Sequence, residues 1–178
     1  MWWKSLFAML MILGSTIAWS GEHSSPYAGQ ERREIKSLSA EEVRGYLAGD
    51  GMAFATAAEL NGFPGPSHVL EMADKLKLTA EQRKRTKAIF DKVKAEAKQF
   101  GKQVVEKERE LDARFAAGSV TEPELTRLVT EIAAIQGRLR NSHLQAHLAQ
   151  KKVLTEEQIR HYDSIRGYQG SAAQHGSR

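Results

Sequence analysis

Three features of this sequence predict an all-α fold: a long antiparallel helical hairpin with short flanking helices. The chain is rich in Ala, Glu, Lys, Arg, Leu and Gln, has only 7% aromatic residues and lacks cysteine, a composition that favours helix over sheet. Two stretches, from Thr79 to Ala117 and from Thr121 to Ala149, carry apolar residues at spacings of three and four. Only Gly118, Ser119 and Val120 lie between them, so the second helix must fold back on the first.

The elements follow in order. Residues 1–20, MWWKSLFAMLMILGSTIAWS, place one lysine ahead of an apolar run that ends in Ala18, Trp19 and Ser20. This reads as a secretory signal peptide cleaved near Ser20/Gly21. The run is shorter than the roughly 20 residues of a comfortable transmembrane span. Residues 21–37 are polar, contain Pro26 and Gly29 and show no periodicity, and are read as a flexible N-terminal arm. Residues 38–168 form the helical domain, and 169–178 a low-complexity, disordered tail.

Within the domain, Ser39 precedes Glu42 by three residues, the arrangement of a capping box. There the hydroxyl accepts from the third backbone N–H while the acidic side chain reaches back to the cap. Asp50-Gly51 and Asn61-Gly62 mark turns around one short alanine-rich helix. Pro66 opens a helix expected over 66–76, since a missing N–H costs nothing in a first turn.

The pentads LTAEQ at 78–82 and LTEEQ at 154–158 supply further caps, Thr79 with Gln82 and Thr155 with Gln158, and Thr121 with Glu124 repeats the device. The first long helix is expected over 79–117, about 58 Å at 1.5 Å per residue. Its stripe runs through Ile89, Val93, Ala97, Phe100, Val104, Leu111 and Phe115, with Glu108 interrupting it as a buried-carboxylate candidate that Glu131, Arg109 or Arg127 could satisfy. The second stripe passes through Leu125, Leu128, Ile132, Ile135, Leu139, Ser142, Ala146 and Ala149. The last helix runs from Thr155 through Ile165. Two thin helices cannot bury both stripes alone, so the short helices and a second subunit are expected to cover them, which makes a homodimer the expected state.

Absence of cysteine excludes disulfides, thiolate ligands and thiol nucleophiles. Without residues 1–20 the chain holds 25 basic against 22 acidic residues, a formal charge of +3, too mild for a dedicated polyanion binder. No phosphate-cradling glycine loop, G-x-S-x-G or H-E-x-x-H occurs, so no enzyme is expected. The Lys84, Lys87, Lys94, Lys98 and Lys102 series is interleaved with acids and lacks aromatic partners. It reads as a solvated face, and nucleic acid is not an expected partner.

The metal-like spacing is NSHLQAHL, where His143 and His147 stand four apart on a predicted helix. That spacing stacks both imidazoles on one face. His68 with Glu71, three apart, and His161 in the last helix are further candidate ligands. Folding the hairpin about 118–120 sets 143–147 opposite roughly 90–96, at the open end where the 66–76 and 155–168 helices attach. All three histidine-bearing segments can meet there. Nitrogen and oxygen donors suit Zn, Cu, Ni or Co. The competing reading is a set of solvent-facing histidines, and spacing alone does not choose.

The export signal, the helical chain and the paired LTxxQ pentads resemble the Spy/CpxP family of periplasmic proteins, which includes metal-resistance relatives of the ZraP and CnrX type. The stretches AELNGFPGPSHVLEMADKLKLTAEQ and LRNSHLQAHLAQKKVLTEEQIRHYDSIRGY carry the resemblance, over about residues 38–168. It implies a four-helix hairpin protomer, an antiparallel cradle-shaped dimer and a periplasmic location. It also implies one of three roles: ATP-independent chaperone for unfolded clients, inhibitory partner of an envelope sensor kinase, or metal-responsive protein signalling through an inner-membrane anti-sigma system. The metal-sensing relatives place a histidine pair early in the mature chain. Here the pair is late, so their ligand set does not transfer, and the leading expectation is a metal-responsive binding protein of the envelope stress response.

Overall fold

A computed structural model of the chain describes residues 25–168, so the expected signal peptide and C-terminal tail lie outside the described residues. Six α-helices and no strand occur among them: α1 (Ala40–Ala48), α2 (Thr56–Glu59), α3 (Pro66–Glu71), α4 (Ala80–Ala116), α5 (Glu122–Lys151) and α6 (Glu156–Arg166). Helices α4 and α5 pack along each other as the hairpin, α1 and α3 lie on α4, and α2 lies on α5. Among the described residues, no helix is long and apolar enough to cross a membrane.

Local chemistry sets the helix starts. Ser39, Thr79, Thr121 and Thr155 each accept from the backbone N–H three residues on, and Glu42, Gln82, Glu124 and Gln158 each accept from the N–H of the cap. Four otherwise orphaned pairs of donors are thereby satisfied. The glutamines do more. Gln82 and Gln158 exchange amide hydrogen bonds at 2.8 and 3.1 Å. Gln82 also donates to the Val153 carbonyl, and Gln158 to that of Leu76. The paired pentads therefore tie the start of α4 to the start of α6.

Two apolar clusters fill the molecule. Ile35, Leu38, Tyr46, Ala97, Val104, Val105, Ile135 and Leu139 form one, under α1. Val69, Met72, Ala73, Leu76, Leu78, Leu154, Ile159 and Tyr162 form the other, where α3 and α6 meet the hairpin root. At Gly101, α1 approaches so closely that an added Cβ would collide with the Tyr46 carbonyl. Polar rungs cross the seam, with Ser142 donating to Glu96 at 2.6 Å and Gln150 to Thr86 at 3.1 Å.

Four expectations are corrected. The segment read as a flexible arm packs over its later half: Ile35 is 2% exposed, and Glu34, Lys36 and Ser37 bond Arg109, Asp112 and Glu108. Periodicity could not find one isoleucine among charges. Glu108 accordingly pairs with Ser37, and Glu131 instead joins Lys107 and Arg127 on the hairpin surface. Phe115, placed in the buried stripe, is 56% exposed because, among the described residues, no short helix covers α4 near the hairpin tip. The helix expected over 66–76 ends at Glu71 and continues as turns to Lys77, whose φ is 50°.

Candidate functional site

A cavity of about 510 Å³ opens between the α1–α2 loop, the starts of α2 and α3, and the α4–α5 seam. Its walls include Asp50, Glu59, His68, Lys94, His143 and His147. The hairpin register produces this meeting, since α5 sets His143 and His147 across from Phe90, Val93 and Lys94 of α4, and Pro66 starts α3 against them.

His147 is oriented by the chain itself. Its Nδ1 lies 2.7 Å from the Phe63 carbonyl oxygen, which can only accept, so Nδ1 carries the proton and the neutral ring keeps its lone pair on Nε2. Such a second partner on the far ring nitrogen is the usual way a ligating imidazole is held. The edge of the ring that carries Nε2 packs so closely over residue 65 that only glycine fits there. A Cβ there would sit 3.1 Å from Nε2 and 3.5 Å from Glu59 Oε2.

His143, one turn earlier, is 9% exposed and stacks on Phe54 with centroids 5.8 Å apart. Its Nε2 is buried without a hydrogen bond to protein. Burial first, then His147 and Lys94, holds its pKa below the ordinary imidazole value. The stacking partner comes from a strained loop, in which Met52 and Ala53 take φ of 40° and 61°.

Glu59 is the residue that sequence reasoning missed. Its side chain is 11% exposed, and Oε1 accepts from the hydroxyls of Tyr162 and Tyr168 while Oε2 accepts from the Gly65 N–H at 3.0 Å. His68 Nδ1 stands 3.6 Å from Oε1, His147 Nδ1 3.8 Å from Oε2, and Arg166 Nε 3.7 Å from Oε1. Tyr162 is fully buried, and burial followed by the Glu59 hydrogen bond pushes its phenol pKa upward. The only sequence signal for Glu59 was a lone acid in an alanine-rich stretch bounded by turns.

Of the predicted ligands, the structure brings His143, His147 and His68 to one cavity. Glu71 and His161 are not on its walls. Glu71 is exposed and accepts from Ser67, and His161 is exposed beside the inward Tyr162. Among the described residues, no three histidine, aspartate or glutamate side chains converge closely enough to hold an ion as they stand.

A family model described as heavy-metal resistance matches residues 6–161. The chain belongs to the heavy-metal resistance family. The match covers most of the chain and agrees with the broad relationship that the sequence suggested. No curated protein and no solved structure gives a match.

Proposed function

We propose that this member of the heavy-metal resistance family is a periplasmic, metal-responsive binding protein that takes a divalent transition ion in the cavity lined by His143, His147 and Glu59. The carrying observation is the orientation of His147: Phe63 holds Nδ1, which leaves Nε2 as the free nitrogen of a ring on the cavity wall, where Glu59 also lies. His143 adds a second imidazole whose Nε2 has no competing protein partner. Two imidazoles and a carboxylate suit Zn, Ni, Co or Cu(II), and the absence of thiolates disfavours the softer alternatives. No three donors converge among the described residues, so binding would have to draw side chains together. Export and removal of residues 1–20 would place the protein in the periplasm.

Cobalt tests this reading, since a bound Co(II) ion reports its ligands in visible absorption. Titration of the protein should give bands that are lost in His147→Ala and in Gly65→Ala, whose Cβ would crowd the His147 ring, and kept in His161→Ala. Bands that survive in the first two variants would place the ion elsewhere.

A homodimer is part of the same proposal. Val129 and Leu148 of α5 are 50% and 44% exposed, as is Phe115 of α4 at 56%, leaving apolar area on the hairpin for a second copy. Sedimentation equilibrium should return twice the chain mass, and a monomer at micromolar concentration would reject it.

A further inference from the structure

We infer that the open side of the hairpin seam is a docking groove for an acidic amphipathic helix of a partner protein. The short helices cover one side of the α4–α5 seam, where His143, Ala146 and His147 face the cavity. On the other side a groove of about 490 Å³ is floored by Ala88 and Ile89 of α4, Leu148 and Ala149 of α5, and Val153. Leu148 is 44% exposed and Ile89 half-buried, so among the described residues this apolar floor is left to solvent. A floor of this kind between two helices takes a third through its apolar face. The groove shares no wall with the cavity and does not depend on an ion there.

Charge selects the occupant. Arg85 and Lys152 stand exposed on the rim, and no acidic side chain lines the groove with them. Past Gln145 the same side continues through Lys92, Phe100 and Arg138, with the Arg138 guanidinium 5.5 Å from the centre of the Phe100 ring. The acid on that continuation, Glu96, already accepts from Ser142 at 2.6 Å and lies 3.9 Å from Lys92. The rim thus sets Arg85, Lys92, Arg138 and Lys152 against one engaged carboxylate, which favours a helix with acids flanking its apolar stripe. From Arg85 to Phe100 the groove follows α4 for about 22 Å, the length of a helix of roughly 15 residues. A second copy centred here would set the basic rim against itself, because a two-fold interface pairs the same patch of both chains. Phe115 and Val129, which do not line the groove, leave a homodimer its contact nearer the hairpin tip.

The test uses the full chain and a fluorescent peptide of about 15 residues, with leucines at spacings of three and four and glutamates on both flanks, read by anisotropy. It should bind, and the same peptide with lysines in place of glutamates should bind at least about tenfold more weakly. Arg85→Glu with Lys152→Glu should weaken the acidic peptide by about tenfold or more, while Lys75→Glu with Lys102→Glu, the same change of charge off the groove, should stay within about twofold. Leu148→Ser should weaken it as well. All five side chains are exposed, so the helical content should be retained, which circular dichroism checks. Equal binding of both peptides, equal binding of a scrambled acidic peptide without an apolar face, or an affinity unmoved by the Arg85 and Lys152 changes overturns the proposal. A dimer that Leu148→Ser dissociates in sedimentation equilibrium would give the groove to a second copy and overturn it too.

Discussion

Gln82 and Gln158 face each other across the hairpin root and exchange amide hydrogen bonds, while each also caps its own helix. A glutamate could perform the cap, as Glu42 and Glu124 do elsewhere. It could not donate to the opposite amide or to the carbonyls of Val153 and Leu76. Gln82→Glu should therefore cost about 2 kcal/mol, from two lost hydrogen bonds near 1 kcal/mol each. Glu42→Gln should stay within about 0.5 kcal/mol. Urea denaturation of the two variants measures the contrast, and equal losses would mean that the pentads are caps only.

The contact between Gly101 and Tyr46 makes a second prediction. Both residues are buried where α1 meets α4, and no side chain can yield to a Cβ that meets backbone. Gly101→Ala should cost about 3 kcal/mol, at the upper end of ordinary overpacking. Gly137 has open space around it, and Gly137→Ala in the middle of α5 should instead stabilise by about 0.5–1 kcal/mol. Melting temperatures shifted in opposite directions are the expected result.

Ala53 holds a left-handed backbone, φ 61°, on an exposed loop beside the cavity. An L-residue there costs roughly 1–2 kcal/mol that glycine does not, offset in part by the greater freedom of glycine in the unfolded chain. Ala53→Gly should be neutral to stabilising by about 1 kcal/mol in chemical denaturation. A clear loss would show that the Ala53 side chain contributes packing.

The depressed pKa of His143 implies a pH dependence in the mildly acidic range. Protonation is harder in the fold than in the unfolded chain, so the unfolded state binds the proton first. Its contribution to stability is complete above the ordinary imidazole value of about 6.5 and is lost as pH falls from there toward the lower folded value. The depressed carboxylates, Glu42 among them through its Ser39 hydrogen bonds, act below about 4.5 and leave this window clear. Denaturation midpoints measured from pH 7.5 to 5.5 should fall, and His143→Gln should flatten the profile.

The parts of the fold legible in the sequence are those fixed over a few residues. Thr79 and Gln82 need only each other to start a helix, and the three residues 118–120 force the hairpin. His143 and His147 could be placed opposite α4 by counting along that hairpin. What escaped depends on distant partners. Ile35 has polar neighbours in sequence and an apolar cluster in space, and Phe115 keeps the helical spacing but has no covering short helix among the described residues. Glu59 sits among alanines, yet its partners lie as far away as Tyr168. The pairing of Gln82 with Gln158 likewise needed the root of the hairpin to be closed, although the choice of glutamine over glutamate at both positions was its one visible trace.

The most direct test of the central claim is calorimetric titration of the full chain with Zn²⁺, in wild type and in the variant carrying His143→Ala with His147→Ala. The account predicts micromolar or tighter binding, about 8 kcal/mol, that disappears in the double variant while its helical content is retained. Binding no tighter than tens of micromolar, or binding unchanged by the two substitutions, would contradict it.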